Sequence, residues 1–185
     1  MEFIQSIDEK ILLIINGLNC DILDSIMFWL SNTWFWLPLY IILIYQILKN
    51  YGKKGIFIII ISLLVIAICD QIASHLIKNT VQRLRPSHSP GLENLLHYVN
   101  NYRGGKYGFV SSHAANSFGL AAFLFKFFND KKKWLSYFLI IAAILISYSR
   151  IYLGVHFPSD VFAGAIVGVF IGFISYIIFI KKFKR

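Results

Sequence analysis

The sequence predicts an all-α fold, a polytopic bundle of helices embedded in a membrane, and three observations lead to it. The 185 residues are 57% hydrophobic and only 15% charged, a balance too apolar for an ordinary soluble domain. Apolar runs of membrane-span character recur along the chain and are separated by short polar or charged turns. The lysines gather at the ends of these runs, so the net charge of +9 reads as membrane topology plus an anion site, not as a nucleic-acid footprint. A single membrane-embedded domain over residues 1–185 is expected, with no internal repeat and no nucleic-acid partner. Cys20 and Cys69 stand apart, without CxxC or His/Cys spacing, so no metal site is expected from them.

Residues Phe3 to Leu18 mix Gln5, Asp8, Glu9 and Lys10 with apolar neighbours at roughly helical spacing, which predicts an amphipathic helix in the interface with one wet face. Nothing at the N-terminus reads as a removable signal peptide. Asn16, Gly17 and Asn19 break this helix, and the apolar piece from Ile22 to Leu30 is too short to cross alone. Residues 1–32 therefore form an amphipathic and short apolar N-terminal region. Trp34 and Trp36 fit an interfacial aromatic belt ahead of a first span over Leu37 to Leu48. A second span begins at Ile56 and becomes polar in its outer half, where Asp70, Gln71, Ser74, His75 and Lys78 must face protein or water. Residues 86–108, rich in Gly and Pro, read as an extramembrane loop. Further spans are expected over Ala114 to Phe128, Trp134 to Ile151 and Pro158 to Ile180, giving five clear transmembrane helices. Gly164, Gly168 and Gly172 recur every four residues on the last, a face that lets helices approach closely.

Threaded alternately, these spans put Lys49, Lys53, Lys54, Lys126, Lys131 to Lys133 and the C-terminal Lys181, Lys182, Lys184 and Arg185 on one side. The positive-inside rule makes that side, and the C-terminus, cytoplasmic. The opposite side receives Lys78, Arg83, Arg85, Arg103, Lys106 and Arg150, a basic set that orientation does not explain but a bound anion does.

Three polar clusters fall on that outer side. Lys78 and Arg85 are seven residues apart, so on a continuous helix they share a face roughly 10 Å apart; snorkelling cations at a span's end are the plain alternative. Ser111-Ser112-His113 opens a helix, where free N–H groups and the dipole favour an anion, although an ordinary serine cap looks the same. Ser149-Arg150 and His156 to Asp160 lie between two apolar stretches, with Pro158 suited to a helix's first turn. Histidine can act as nucleophile and as proton carrier near neutral pH, and a carboxylate can hold its other ring nitrogen. Phosphoryl transfer needs those groups and positive charge around the phosphoryl oxygens.

In order and spacing, Lys78-(six residues)-Arg85-Pro86, Ser111-Ser112-His113 and Ser149-Arg150-(five residues)-His156-(three residues)-Asp160 resemble the three-part signature of the type 2 phosphatidic acid phosphatase family, related in its site to vanadium haloperoxidases. The second part departs from the family's Pro-Ser-Gly-His at Val110 and Ser112. The resemblance covers about Asp70 to Gly172. It implies that His156 attacks phosphorus, that Asp160 holds the His156 imidazole and that His113 protonates the leaving oxygen and later helps activate water. Lys78, Arg85 and Arg150, with Ser111 and the backbone near Ser112, would bind the phosphoryl oxygens, with no metal or other cofactor. The family's six helices would require a sixth from residues before Asn32. Asp70, Gln71, Ser74, Arg103 and Lys106 are further candidates for substrate contact, with helix packing or lipid headgroups as their alternatives.

The expected function is hydrolysis of a membrane lipid's phosphate on the outer face of a bacterial inner membrane. The lipid's tail in the bilayer would bring its phosphate sideways to the helix ends. Undecaprenyl pyrophosphate is favoured, with phosphatidylglycerophosphate, phosphatidic acid or lipid A phosphate as alternatives. A non-catalytic lipid or phosphate transporter is the reading from another class, and it leaves His113, His156 and Asp160 unexplained. Haloperoxidase chemistry, which needs a retained vanadate, is weaker still. The sequence leaves the oligomeric state open.

Overall fold

The computed structural model describes residues 2–183; Lys184 and Arg185, two of the charges expected to mark the cytoplasmic face, lie outside the described residues. The chain forms α1 (Glu2–Asn16), α2 (Asp21–Ser31), α3 (Leu37–Tyr51), α4 (Lys53–Asp70), a π-helical stretch Gln71–Ile77 running into α5 (Lys78–Val81), α6 (Ser112–Asn129), α7 (Lys133–Tyr152) and α8 (Pro158–Phe183). Among the described residues the only strand-like pairing is one antiparallel bridge between Leu84 and Tyr107.

Every expected span is a helix, but they differ as membrane crossers. The continuous helix Lys53–Val81, α7 and the Pro158–Lys182 part of α8 are long and apolar enough to cross. Helix α3 has 15 residues and rises about 22 Å, short of the roughly 30 Å hydrocarbon core. Helix α6 is less apolar because it sits at the bundle's centre: Ala114, Ala115, Gly119 and Ala121 are buried against other helices and need not satisfy lipid. The N-terminal pair α1 and α2 meets at a 118° bend and has the apolarity for one broken span.

The glycine stripe brings α8 against α6 at backbone distance. A Cβ added to Gly164 would stand 2.5 Å from the carbonyl oxygen of Ser111, and one added to Gly168 or Gly172 would stand 2.2 Å from that of Ala115 or Gly119. At the lysine-rich end Tyr51 Oη donates to the Phe127 carbonyl at 2.6 Å, and Phe127 packs edge-on to Phe179 at 5.2 Å. The three polar motifs lie at the other end.

Three expectations change. Helix α5 stops at Val81, where Gln82 takes a left-handed conformation with φ 51° and its N–H closes on the Lys78 carbonyl, an αL termination. Arg85 is extended because it precedes Pro86, so Lys78 and Arg85 do not share a helical face. Helix α1 is not a helix with its polar side in water: Asp8, Leu12 and Asn16, four residues apart, form a buried face. Trp34 is exposed as an interfacial residue would be, whereas Trp36 turns inward.

Candidate active site

The close α6–α8 contact joins the second and third motifs, and the Ser111 N–H donates to the Asp160 carbonyl at 3.0 Å. The Ser111 side chain caps α6 by accepting from Ala114 N–H, so the cap alternative holds for its hydroxyl. Ser112, one residue on, accepts from Lys78 Nζ at 3.4 Å. The exit from α5 folds back as an extended segment, with Arg85 N–H bonded to the Lys106 carbonyl at 3.0 Å. The first motif thereby reaches the other two without helical continuity.

Lys78, Arg85 and Arg150 are only 9, 8 and 2% exposed. Arg85 Nε donates to the Tyr107 carbonyl at 3.1 Å, while its NH1 has no partner. Gly104, at φ 66°, makes room for that guanidinium, since a Cβ there would lie 2.1 Å from Arg85 NH1. Arg150 donates to Ser31 Oγ and, at 3.0 Å, to Tyr102 Oη; its Nε is unpartnered. Among the described residues none of the three cations forms an ion pair with a carboxylate. Buried charge without a counter-ion is costly, and an anion is the chemical group that can offset it at Lys78, Arg85 and Arg150. Burial and the Arg150 charge lower Arg85 to about 10, which leaves it cationic at neutral pH. Burial alone would raise the Tyr102 phenol, but Arg150 and Arg85 outweigh it and the net shift is downward.

His156 is fully buried in the junction between α7 and α8, and neither ring nitrogen has a hydrogen-bond partner. Its Nδ1 lies 3.6 Å from Asp160 Oδ2, within ion-pair reach but longer than a hydrogen bond. Burial first, then Arg85, Arg150 and Lys78, hold the imidazole well below the ordinary histidine range. Nδ1 faces the carboxylate, which leaves Nε2 as the nitrogen available to an electrophile. His113, on the first turn of α6, completes the set.

The other candidates separate. Asp70 and His113 line one cavity. Ser74 turns its hydroxyl onto Asp70 at 3.3 Å. Gln71 is exposed. Arg103 stacks over the Tyr98 ring at 4.4 Å, and Lys106 lies over Tyr107 at 5.5 Å; both are exposed. The structure does not bring Gln71, Arg103 or Lys106 into the cation cluster.

Two residues of consequence have no role in the site assigned from the sequence, which counts Arg83 only in the outer basic set ascribed to a bound anion and Asp8 only as a polar residue of the wet face of α1. Arg83 donates to Asp160 Oδ1, Asp8 Oδ2, Gln5 Oε1 and Ser159 Oγ, each at 2.7 Å, with its guanidinium over the Phe157 ring at 4.2 Å. Asp8 also accepts from Ser159 N–H at 2.9 Å and from Ser159 Oγ. Arg83 is thus committed to protein partners, and it fixes the carboxylate beside His156. The available signal was the spacing of Asp8 and Asn16 around Leu12, which marks a buried polar face; reading every charge on α1 as solvated obscured it.

The family model described as the PAP2 superfamily matches residues 56–184. The chain is 41% identical over 187 aligned positions to a lipid A 4'-phosphatase of Bacteroides thetaiotaomicron, covering 100% of this chain and 82% of that protein. It is 36% identical over 186 positions to a lipid A 4'-phosphatase of Porphyromonas gingivalis, covering 100% and 78%. The crystal structure of a transmembrane PAP2-type phosphatidylglycerolphosphate phosphatase from Bacillus subtilis superposes with a TM-score of 0.72 at 28% identity, over 100% of this chain and 90% of that one. With the three motifs gathered at one end of a helical bundle and the family model spanning α4 to α8, the chain belongs to the PAP2 superfamily.

Proposed function

We propose that this membrane phosphatase removes a phosphate from the sugar headgroup of a lipid A-type glycolipid through a phosphohistidine. The observation that carries the chemistry is His156, unpartnered at both nitrogens and surrounded by three buried cations that lack counter-ions. The phosphate's oxygens take the charge of Lys78, Arg85 and Arg150, with donors at Ser112 and the start of α6. Nε2 of His156 attacks phosphorus while the bond to the leaving oxygen breaks, and His113 gives that oxygen its proton. Asp160 stabilises the charge that builds on the imidazole. Water then attacks the phosphohistidine, losing a proton to His113, and phosphate leaves with neutral His156 restored.

The substrate class draws on similarity over the whole chain to two proteins named lipid A 4'-phosphatases. This replaces undecaprenyl pyrophosphate as the leading substrate, a preference for which the sequence held no supporting feature. The lysine-rich turns lie at the end opposite the site, so the positive-inside rule turns the site outward and the C-terminus toward the cytoplasm. The test is phosphate release by the full chain in detergent from lipid A, a polyprenyl diphosphate and phosphatidic acid. The highest kcat/KM is expected on lipid A; preference for the polyprenyl diphosphate, or no release from any, overturns the proposal.

A further inference from the structure

Beside the cation cluster lies a cavity of about 300 Å³ whose walls include His113, Ser112, Asp70, Asn116, Trp36 and Tyr40. His156 is not among the residues lining it, so the cavity extends on the side of the acid, where the leaving group would sit. Asp70 is the first ionisable residue after the apolar run Ile56 to Cys69 of its span, a position that calls for a functional account. No cation forms an ion pair with it among the described residues. Its Oδ1 receives two long hydrogen bonds, from Ser74 Oγ at 3.3 Å and Asn116 Nδ2 at 3.4 Å. The carboxamide oxygen of Asn116 is buried and has no partner. Trp36 is only 7% exposed and its indole N–H is tied to the Leu30 carbonyl at 2.8 Å, which fixes the ring as a rigid apolar wall.

A carboxylate in this position repels the phosphate that the neighbouring cations attract. The group that suits it donates hydrogen bonds and carries no negative charge. A carboxylate and a carboxamide side by side, with an aromatic wall nearby, match a sugar ring: hydroxyls for Asp70 and Asn116, and the ring's C–H face for Trp36. A polyprenyl chain joined directly to phosphate offers these polar atoms no donor and leaves them unsatisfied. We infer that Asp70 and Asn116 form a subsite for the hydroxyl-bearing sugar ring that carries the scissile phosphate. This rests on the glycolipid reading and adds the residues that would select for it.

The test compares phosphate release by the full chain in zwitterionic detergent from a glucosamine-linked lipid phosphate and from phosphatidic acid of matched acyl length. In Asp70→Asn and Asn116→Leu the ratio of kcat/KM values, sugar lipid over phosphatidic acid, is expected to fall about tenfold. A ratio within about twofold of wild type in active variants overturns the subsite. If the variants fold poorly, the wild type decides: the dephosphorylated glycolipid should inhibit about tenfold more strongly than the matched diacylglycerol, and equal inhibition overturns the subsite. Wild type that hydrolyses phosphatidic acid but not the sugar lipid overturns the glycolipid reading itself, and the subsite with it.

Discussion

The N-terminal third and the motif-bearing bundle both bury polar side chains at the same end of the molecule, yet they use them in opposite ways. In the bundle, Arg85, Arg150 and His156 retain polar atoms without partners. In the N-terminal helices α1 and α2, the buried polar groups are committed to protein. Asp8 holds Arg83 and Ser159. Asn16 joins the His97 backbone to the Tyr152 carbonyl. Asp24 accepts from Tyr152 Oη and pairs with His97, both at 2.7 Å, and Ser31 accepts from Arg150. Under the proposed function, the unpartnered atoms of Arg85, Arg150 and His156 are the ones a phosphate would meet, and the partnered groups of α1 and α2 position them. This division also separates Arg83 from Lys78, Arg85 and Arg150, although all four are cations at one end of the bundle.

The division can be broken first at its centre. His156→Ala should lower kcat by on the order of 10³-fold or more, because it removes the nitrogen that forms the bond to phosphorus in the proposed mechanism; retained turnover would end the phosphohistidine mechanism. Next, Asp8→Asn or Arg83→Met should lower kcat on the order of 10–100-fold, as loss of a supporting partner does, with KM within about twofold. A rise in KM at unchanged kcat would instead make Arg83 a substrate-binding cation. Gly168→Leu tests the seam that joins the second and third motifs, and the clash with the Ala115 carbonyl should cost about 1–3 kcal/mol, read as a lower unfolding midpoint in detergent. Asp24→Asn weakens only ties made by the N-terminal region and should cost about 1 kcal/mol, with activity changed by no more than a few-fold.

The smallest expected effect is on pH dependence. Because His156 is held neutral by burial and nearby cations, the unfolded chain takes up a proton below the ordinary histidine value near 6.5 that the folded chain refuses. Stability therefore rises with pH through that window and is lost as pH falls below it. His156→Gln should flatten this acid-side slope of the unfolding midpoint; an unchanged slope would mean that His156 titrates normally in the fold.

Much of the candidate site could be read because its chemistry depends on residue type at short spacing. His156 and Asp160 are one helical turn apart in sequence, and Ser111 to His113 are consecutive, so no long-range packing was needed to nominate them. The Lys78–Arg85 pairing was given the wrong geometry, since Gln82 ends the helix and Pro86 extends the chain before it. Asp70 could be named as a candidate but not placed, because its interest lies in sharing a cavity with His113 and Asn116 from another helix.

By itself the sequence determined the helical membrane class, the glycine face of α8 and the identity of the three motifs. Each follows from local periodicity or from a fixed set of chemical groups. Only the tertiary structure decided that α1 is a support for the site and that Arg83 belongs to Asp8 and Asp160. The reason is physical: a charged side chain on an amphipathic helix reads the same whether water or a partner 75 residues away satisfies it, and only packing determines which one does.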